Sequence, residues 1–171
     1  LAEEIEQKIL TNFDYEPFEI DKGYNNRTLY VNLSDNIIKS KPVTEQMKEL
    51  FTGGKGFDLW LMWNSLPTDH IVKWNEPENE LCIACGPLGG TTMYPGSGKS
   101  IVAAISPLTN NIVDSNVGGY FGPYLKFAGW DALEIQGKAE SDVVIFINGD
   151  DNQVMILDAS GLPEETHLLG D

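Results

Sequence analysis

Cys85–Gly129, CGPLGGTTMYPGSGKSIVAAISPLTNNIVDSNVGGYFGPYLKFAG, is the stretch on which the reading of this chain turns. Nine of the chain's seventeen glycines lie in it: Gly86, Gly89, Gly90, Gly96, Gly98, Gly118, Gly119, Gly122 and Gly129. Glycine takes positive φ without strain and lets a bulky group lie against bare backbone. So dense a cluster predicts a cradle of tight turns, whose N–H groups can converge on phosphate oxygens with no Cβ in the way.

Two phosphate-binding motifs nearly fit and fail. With Gly98, Lys99 and Ser100 fixed, a G-x-x-x-x-G-K-[ST] loop needs glycine where Met93 stands. It must also launch a long helix, whereas Ser100 leads into IVAAIS and Pro107, a short strand-like run. The dinucleotide pattern G-x-G-x-x-G places Ile101 at its third glycine, with a strand following instead of a helix.

Charge is distributed unevenly along the chain. The net charge is −15, with 22% charged and 42% apolar residues, a balance that supports a folded core. Residues 1–22 carry −5 and residues 134–171 carry −8, leaving only −2 on residues 23–133. The middle therefore tolerates a phosphorylated ligand that the flanks repel. Partners among nucleic acids or anionic membranes are not expected, for want of a basic footprint. No apolar run approaches the roughly 18–20 residues of a membrane-spanning helix. The opening LAEEIEQKIL is acidic and amphipathic, unlike a secretory signal. Cys82 and Cys85 form a lone CxxC; two thiols cannot complete a four-coordinate metal site, and in a strand they point to opposite faces. They read as small buried apolar residues of a protein in a reducing, cytoplasmic setting.

Periodicity predicts an α+β fold with mostly antiparallel sheets and a few short helices. Residues 2–10 read as a short helix and residues 12–21 as an arm or linker. Strands are expected at 27–33, 37–41, 81–86, 100–106, 132–137, 143–148 and 153–158, with turns at Asp35-Asn36 and at 149–152. Thr44 caps a helix running to Phe51; GGKG at 53–56 interrupts it, and Phe57–Asn64 resumes as an apolar helix with Trp60, Leu61 and Trp63 in the core. Gly119–Phe127 suits another short helix, with Pro123 in its first turn and Gly129 just past its end. His70 reads as a surface residue and Asp114 as a turn or capping acid. By domain, residues 1–22 form an acidic extension or arm, 23–160 the globular domain, and 161–171 an acidic tail or connection.

Taken together, GPLGGTTMYPGSGKS, ISPLTNNIVDSNVGGYFGPYLKFAGWDALEIQGKAE and FTGGKGFDLWLMW resemble the N-terminal domain of the aldehyde ferredoxin oxidoreductase family, over roughly residues 23–160. The resemblance implies a tungsto- or molybdo-bispterin cofactor lying on this domain, and an aldehyde oxidised to a carboxylic acid. It implies a [4Fe-4S] cluster held by cysteines outside this stretch, and ferredoxin or another iron–sulfur carrier taking the electrons. The remainder of the enzyme, or a companion subunit, is the expected partner. The cofactor-binding positions implied are Lys55, Lys99, Asn116, Val117, Gly118 and Gly119, with the Asn116 backbone carbonyl on a Mg²⁺ joining the pterin phosphates. Lys55 and Lys99 stand where the family usually has arginine, keeping charge but losing the bidentate fork. The resemblance assigns no catalytic residue within these 171 positions. The alternative reading is a non-catalytic binding or assembly module that keeps the fold without the cofactor.

Overall fold

The computed structural model describes residues 8–17, 19–163 and 165. In chain order the strands are β1 (Ile9–Asp14), β2 (Arg27–Asn32), β3 (Ile37–Pro42), β4 (Leu81–Cys85), β5 (Ser100–Ile105), β6 (Ile112–Val117), β7 (Ala132–Gln136), β8 (Val143–Asn148) and β9 (Gln153–Asp158). The helices are α1 (Glu45–Leu50), α2 (Lys55–Ser65) and α3 (Phe121–Phe127). Six strands form one sheet in the order β3-β2-β7-β4-β5-β6, and three form a second, β1-β9-β8. Only β2 and β7 pair in parallel, with Thr28 beside Ala132. Every other pairing of named strands is antiparallel, so the α+β expectation holds.

Local chemistry accounts for most boundaries. The Thr44 side chain accepts the Met47 N–H at 3.2 Å and starts α1. Gly53 at φ 144° and Gly54 at φ 53° turn the chain directly into α2, which begins inside GGKG, two residues ahead of the expected Phe57. Asn36 (φ 52°) and Asn152 (φ 55°) take left-handed turns between β2 and β3 and between β8 and β9. Gly129, at φ 90°, ends the α3 region.

The six-stranded sheet carries an apolar layer on each face. One lies beneath α1 and α2 and includes Met47, Phe57, Leu61, Met62, Cys82, Ala84 and Ala103. The other joins the sheet to β9 and α3 through Leu29, Val31, Leu125, Trp130, Leu133, Val154 and Ile156. Strand alternation sends Cys82 and Ala84 to the first layer and Ile83 to the second. Arg27 is sandwiched in the second layer, 4.3 Å over Trp130 and 4.8 Å over Tyr15.

Four expectations need correction. The predicted helix at residues 2–10 falls largely outside the described residues, but Ile9–Asp14 is a strand paired with β9. Ile9, Thr11 and Phe13 turn inward on a period of two, not 3.6. Residues 12–14, assigned to an arm, therefore belong to a sheet. Ile112–Val117 is also a strand, bringing the described total to nine rather than about seven; as an edge strand it keeps its polar Asp114, Ser115 and Asn116, which mask strand propensity. Trp63 is 83% exposed, because α2 turns Leu61 and Met62 to the sheet instead.

A candidate cofactor-binding face

Three glycine-bearing loops meet at one end of the six-stranded sheet, where β4 and β6 finish and β5 begins. The turn into α2 is tied to β4 by Gly54 N–H donating to the Cys85 carbonyl at 3.0 Å. A Cβ on Gly98 would lie 2.8 Å from the Gly119 carbonyl oxygen, so the loops before β5 and after β6 touch through bare backbone. The β5–β6 register sets Ile101 against Asn116 and Ser100 against Val117.

The glycines divide by what surrounds them. Gly53, Gly56, Gly89, Gly90, Gly98 and Gly122 are pressed against the protein's own atoms. Gly86, Gly96 and Gly119 have nothing within 4 Å of a built Cβ, and Gly118 has only the Lys99 ammonium, at 4.0 Å. The first group shapes the loops, and the second leaves open backbone on their outer side. Lys99, Asn116, Gly118 and Gly119 are exposed and Val117 half-buried. Lys99 has no ion-pair partner among the described residues. The bends are thus not plugged by apolar side chains.

Lys55 reaches the same face from the first turn of α2. Its ammonium lies 2.6 Å from Asp114 Oδ1 on β6, so Asp114 is a strand residue in an ion pair, not a turn or capping acid. Asp114 and Asn116, two apart on β6, share the α2 side of the sheet.

Asp58 escaped the sequence reading. It is fully buried on the sheet side of α2, and neither carboxyl oxygen has a hydrogen-bond partner. Burial, with the Asp114 charge adding to it, pushes its pKa up to about 8. The signal was present in FDLWLMW: an acid three residues before Leu61 and four before Met62 must share their inward face. A second buried acid pair lies farther along the same sheet face. Glu134 accepts from Lys41 Nζ at 2.6 Å and from the Thr28 hydroxyl. Glu80, wholly buried beside Glu134, is pushed well above the ordinary carboxyl range by burial and then by the Glu134 charge. It therefore stays protonated at neutral pH and shares that proton with Glu134.

No three His, Cys, Asp or Glu side chains among the described residues gather to hold a metal. Cys82 and Cys85 are free, buried thiols on opposite faces, both with pKa raised chiefly by burial. A cavity of about 430 Å³ opens on the α3 side between Gly23, Pro87, Gly90 and Phe127. Its two cations are engaged: Lys126 with Asp131 and the Gly23 carbonyl, Arg27 with the Gly129 and Glu16 carbonyls. Lys126 is therefore a structural residue, and the anion-facing lysines lie on the other side of the sheet.

Residues 28–169 match the family model for the aldehyde ferredoxin oxidoreductase N-terminal domain. This chain belongs to the aldehyde ferredoxin oxidoreductase family. The tungsten-containing aldehyde ferredoxin oxidoreductase of Pyrococcus horikoshii is 44% identical over 138 residues, covering 81% of this chain and 22% of the relative. The corresponding Thermococcus kodakarensis enzyme is 40% identical over 136 residues, covering 80% of this chain and 22% of its own length. A Pyrococcus furiosus relative, the WOR-like subunit of an aliphatic sulfonate oxidoreductase, is 37% identical over 75% of the chain and 20% of its own length. Among solved structures, the active-site complex BamBC of benzoyl coenzyme A reductase with 1,5-dienoyl-CoA superposes with a TM-score of 0.75 at 34% identity. That match covers 82% of this chain and 21% of the other. The chain thus spans about a fifth of the length of its oxidoreductase relatives, and it carries their N-terminal domain.

Proposed function

We propose that this chain is the cofactor-base portion of a tungsten or molybdenum bis-pterin oxidoreductase. Its reaction is the oxidation of an aldehyde to a carboxylic acid, with electrons passing through a [4Fe-4S] cluster to ferredoxin. One observation carries the reading: open glycine backbone at Gly86, Gly96 and Gly118–Gly119, with the unpaired Lys99 ammonium beside it. A flat, phosphorylated ligand needs close approach to main chain and a cation for its phosphate, and this face offers both. Lys99 binds a phosphate or pterin oxygen as a point charge, with Lys55 at the opposite edge. Val117, Gly118 and Gly119 present backbone to the pterin, and the Asn116 carbonyl holds the Mg²⁺ between phosphates, a hard cation suited to oxygen ligands. When bound, the cofactor supplies the two-electron chemistry, while this chain orients it and sets its electrostatic surroundings.

The cluster ligands and the substrate-facing residues belong to the remainder of the enzyme or to a companion subunit, since the two cysteines here are buried and separated by the sheet. No helix among the described residues is long and apolar enough to cross a membrane, and we assign the enzyme to the cytoplasm. The rival reading, a non-catalytic assembly module, draws support from Lys55, whose charge is already neutralised by Asp114. Elemental analysis of the natively purified assembly separates the two. Stoichiometric tungsten or molybdenum with phosphorus is expected, and the absence of both metals would leave the module.

A further inference from the structure

We propose that Asp58 is a proton-storing residue of the bound redox centre, taking up one proton when the centre gains an electron and releasing it on reoxidation. This rests on the cofactor reading above. Asp58 stands in the first turn of α2, one turn from Lys55 and bonded through its N–H to the Gly54 carbonyl at 3.0 Å, directly behind the glycine face. It is fully buried with both carboxyl oxygens unpartnered, while its helix neighbours on that face, Phe57, Leu61 and Met62, are apolar. An apolar residue would fill this place at lower free-energy cost, since a lone buried carboxyl is penalised in either protonation state and most when ionised.

The charged and titratable groups around it leave it without a counter-charge. On α2, Lys55 is held by Asp114, and Asp114 on β6 adds negative potential at Asp58. On β4, Cys82 and Cys85 are thiols held neutral by burial. β5 carries no ionisable side chain. On β7, Glu134 is engaged by Lys41 and Thr28, and on α1, Lys48 by Glu45 and Asn26. The protonation of Asp58 is therefore set by burial and by the charge that arrives at the face in front of it. Its ordinary balance point near neutral pH places both forms within reach. An electron added to the centre raises local negative potential, and the carboxylate closes the balance by forming one O–H bond with a proton from solvent. Oxidation by the iron–sulfur carrier returns that proton.

The test uses the natively purified, cofactor-loaded assembly, with metal and phosphorus measured first. Reductive titration with dithionite at pH values from 6.5 to 9.5 gives the potential of the metal couple at each pH. The wild type should show a potential falling with pH, approaching tenfold per pH unit, or about 59 mV for a one-electron, one-proton couple. Asp58→Asn should flatten that dependence. Redox-difference infrared spectra of wild type labelled with ¹³C-aspartate should gain a protonated-carboxyl band on reduction, a readout that stands even if the variant fails to fold. Equal slopes in wild type and Asp58→Asn, or no labelled band, would overturn the Asp58 proposal alone. Absence of metal and phosphorus would overturn both this proposal and the cofactor reading.

Discussion

The Lys55 ammonium sits 2.6 Å from Asp114 Oδ1, so one of the two cations at the candidate face is held by the protein's own carboxylate. The pair is largely exposed and contributes little to folding, on the order of 0–1 kcal/mol. Its effect is on binding. Asp114→Asn should free Lys55 for a phosphate and raise cofactor retention several-fold, more at low salt than at high salt. It should also lower the Asp58 pKa, since the Asp114 charge helps to raise it. Cofactor retained after dialysis at two ionic strengths measures the first effect, and a pH titration of the labelled Asp58 carboxyl measures the second.

Gly86 and Gly118 offer a separation of fold from function. Neither takes positive φ, and a methyl group at Gly86 meets no atom within 4 Å. Gly86→Ala and Gly118→Ala should each leave thermal stability within about 0.5 kcal/mol of wild type. Both should sharply reduce tungsten or molybdenum content, because the methyl fills space meant for the ligand. Gly119→Ala is a control of another kind: its φ of 89° should cost roughly 1–2 kcal/mol through backbone strain alone.

Lys99→Ala should weaken cofactor retention by roughly 1.5–3 kcal/mol, on the order of 10- to 100-fold, with no change in melting temperature. Lys99→Arg should restore retention. Metal content of the purified variants against their unfolding curves checks both statements.

Asp58 and Glu80 make stability fall as pH rises. Both are raised above the unfolded-state value, so the folded chain holds more protons than the unfolded one in between. Their contribution is complete below about pH 4 and is lost as pH climbs through about 8 for Asp58. Asp58→Asn should remove about one proton's worth of slope, roughly 1.4 kcal/mol per pH unit across that window. Urea unfolding at pH 5, 6, 7 and 8 gives the slopes directly.

Asp131 anchors the start of β2 from across the sheet. It accepts from the Asn25 and Asn26 N–H groups at 3.0 and 2.8 Å and from Lys126 Nζ at 2.5 Å, while being 1% exposed. Asp131→Ala leaves the buried Lys126 charge uncompensated and should cost roughly 3–5 kcal/mol, read by chemical denaturation.

Much of this was legible from the chain. The helix starts at Thr44 and in GGKG, the Asn turns and the seven interior strands all follow from capping, turn chemistry and period. β6 was not, because IVDSNV draws its alternation from an edge position with polar residues on it. β1 was misread because Ile9 and Leu10 begin two patterns at once, and only pairing with β9 selects the strand. At the candidate face, Lys99, Asn116 and the open glycines were readable from loop composition. The Lys55–Asp114 pair and the isolation of Asp58 were not, since both depend on β6 lying beside α2, a juxtaposition no local pattern encodes.

The placement of β7 also dictates an order of assembly. Between β2 and β4 in the larger sheet lies a strand made only after β6, so a nascent polypeptide stopped before residue 132 holds two separate half-sheets, β3-β2 and β4-β5-β6. Joining them requires Thr28 to find Ala132 across most of the synthesised length, a non-local closure that slows folding. Until β7 emerges from the ribosome, the loops bearing Lys99 and Asn116 have no rigid floor, and loading of the pterin must follow translation of that strand.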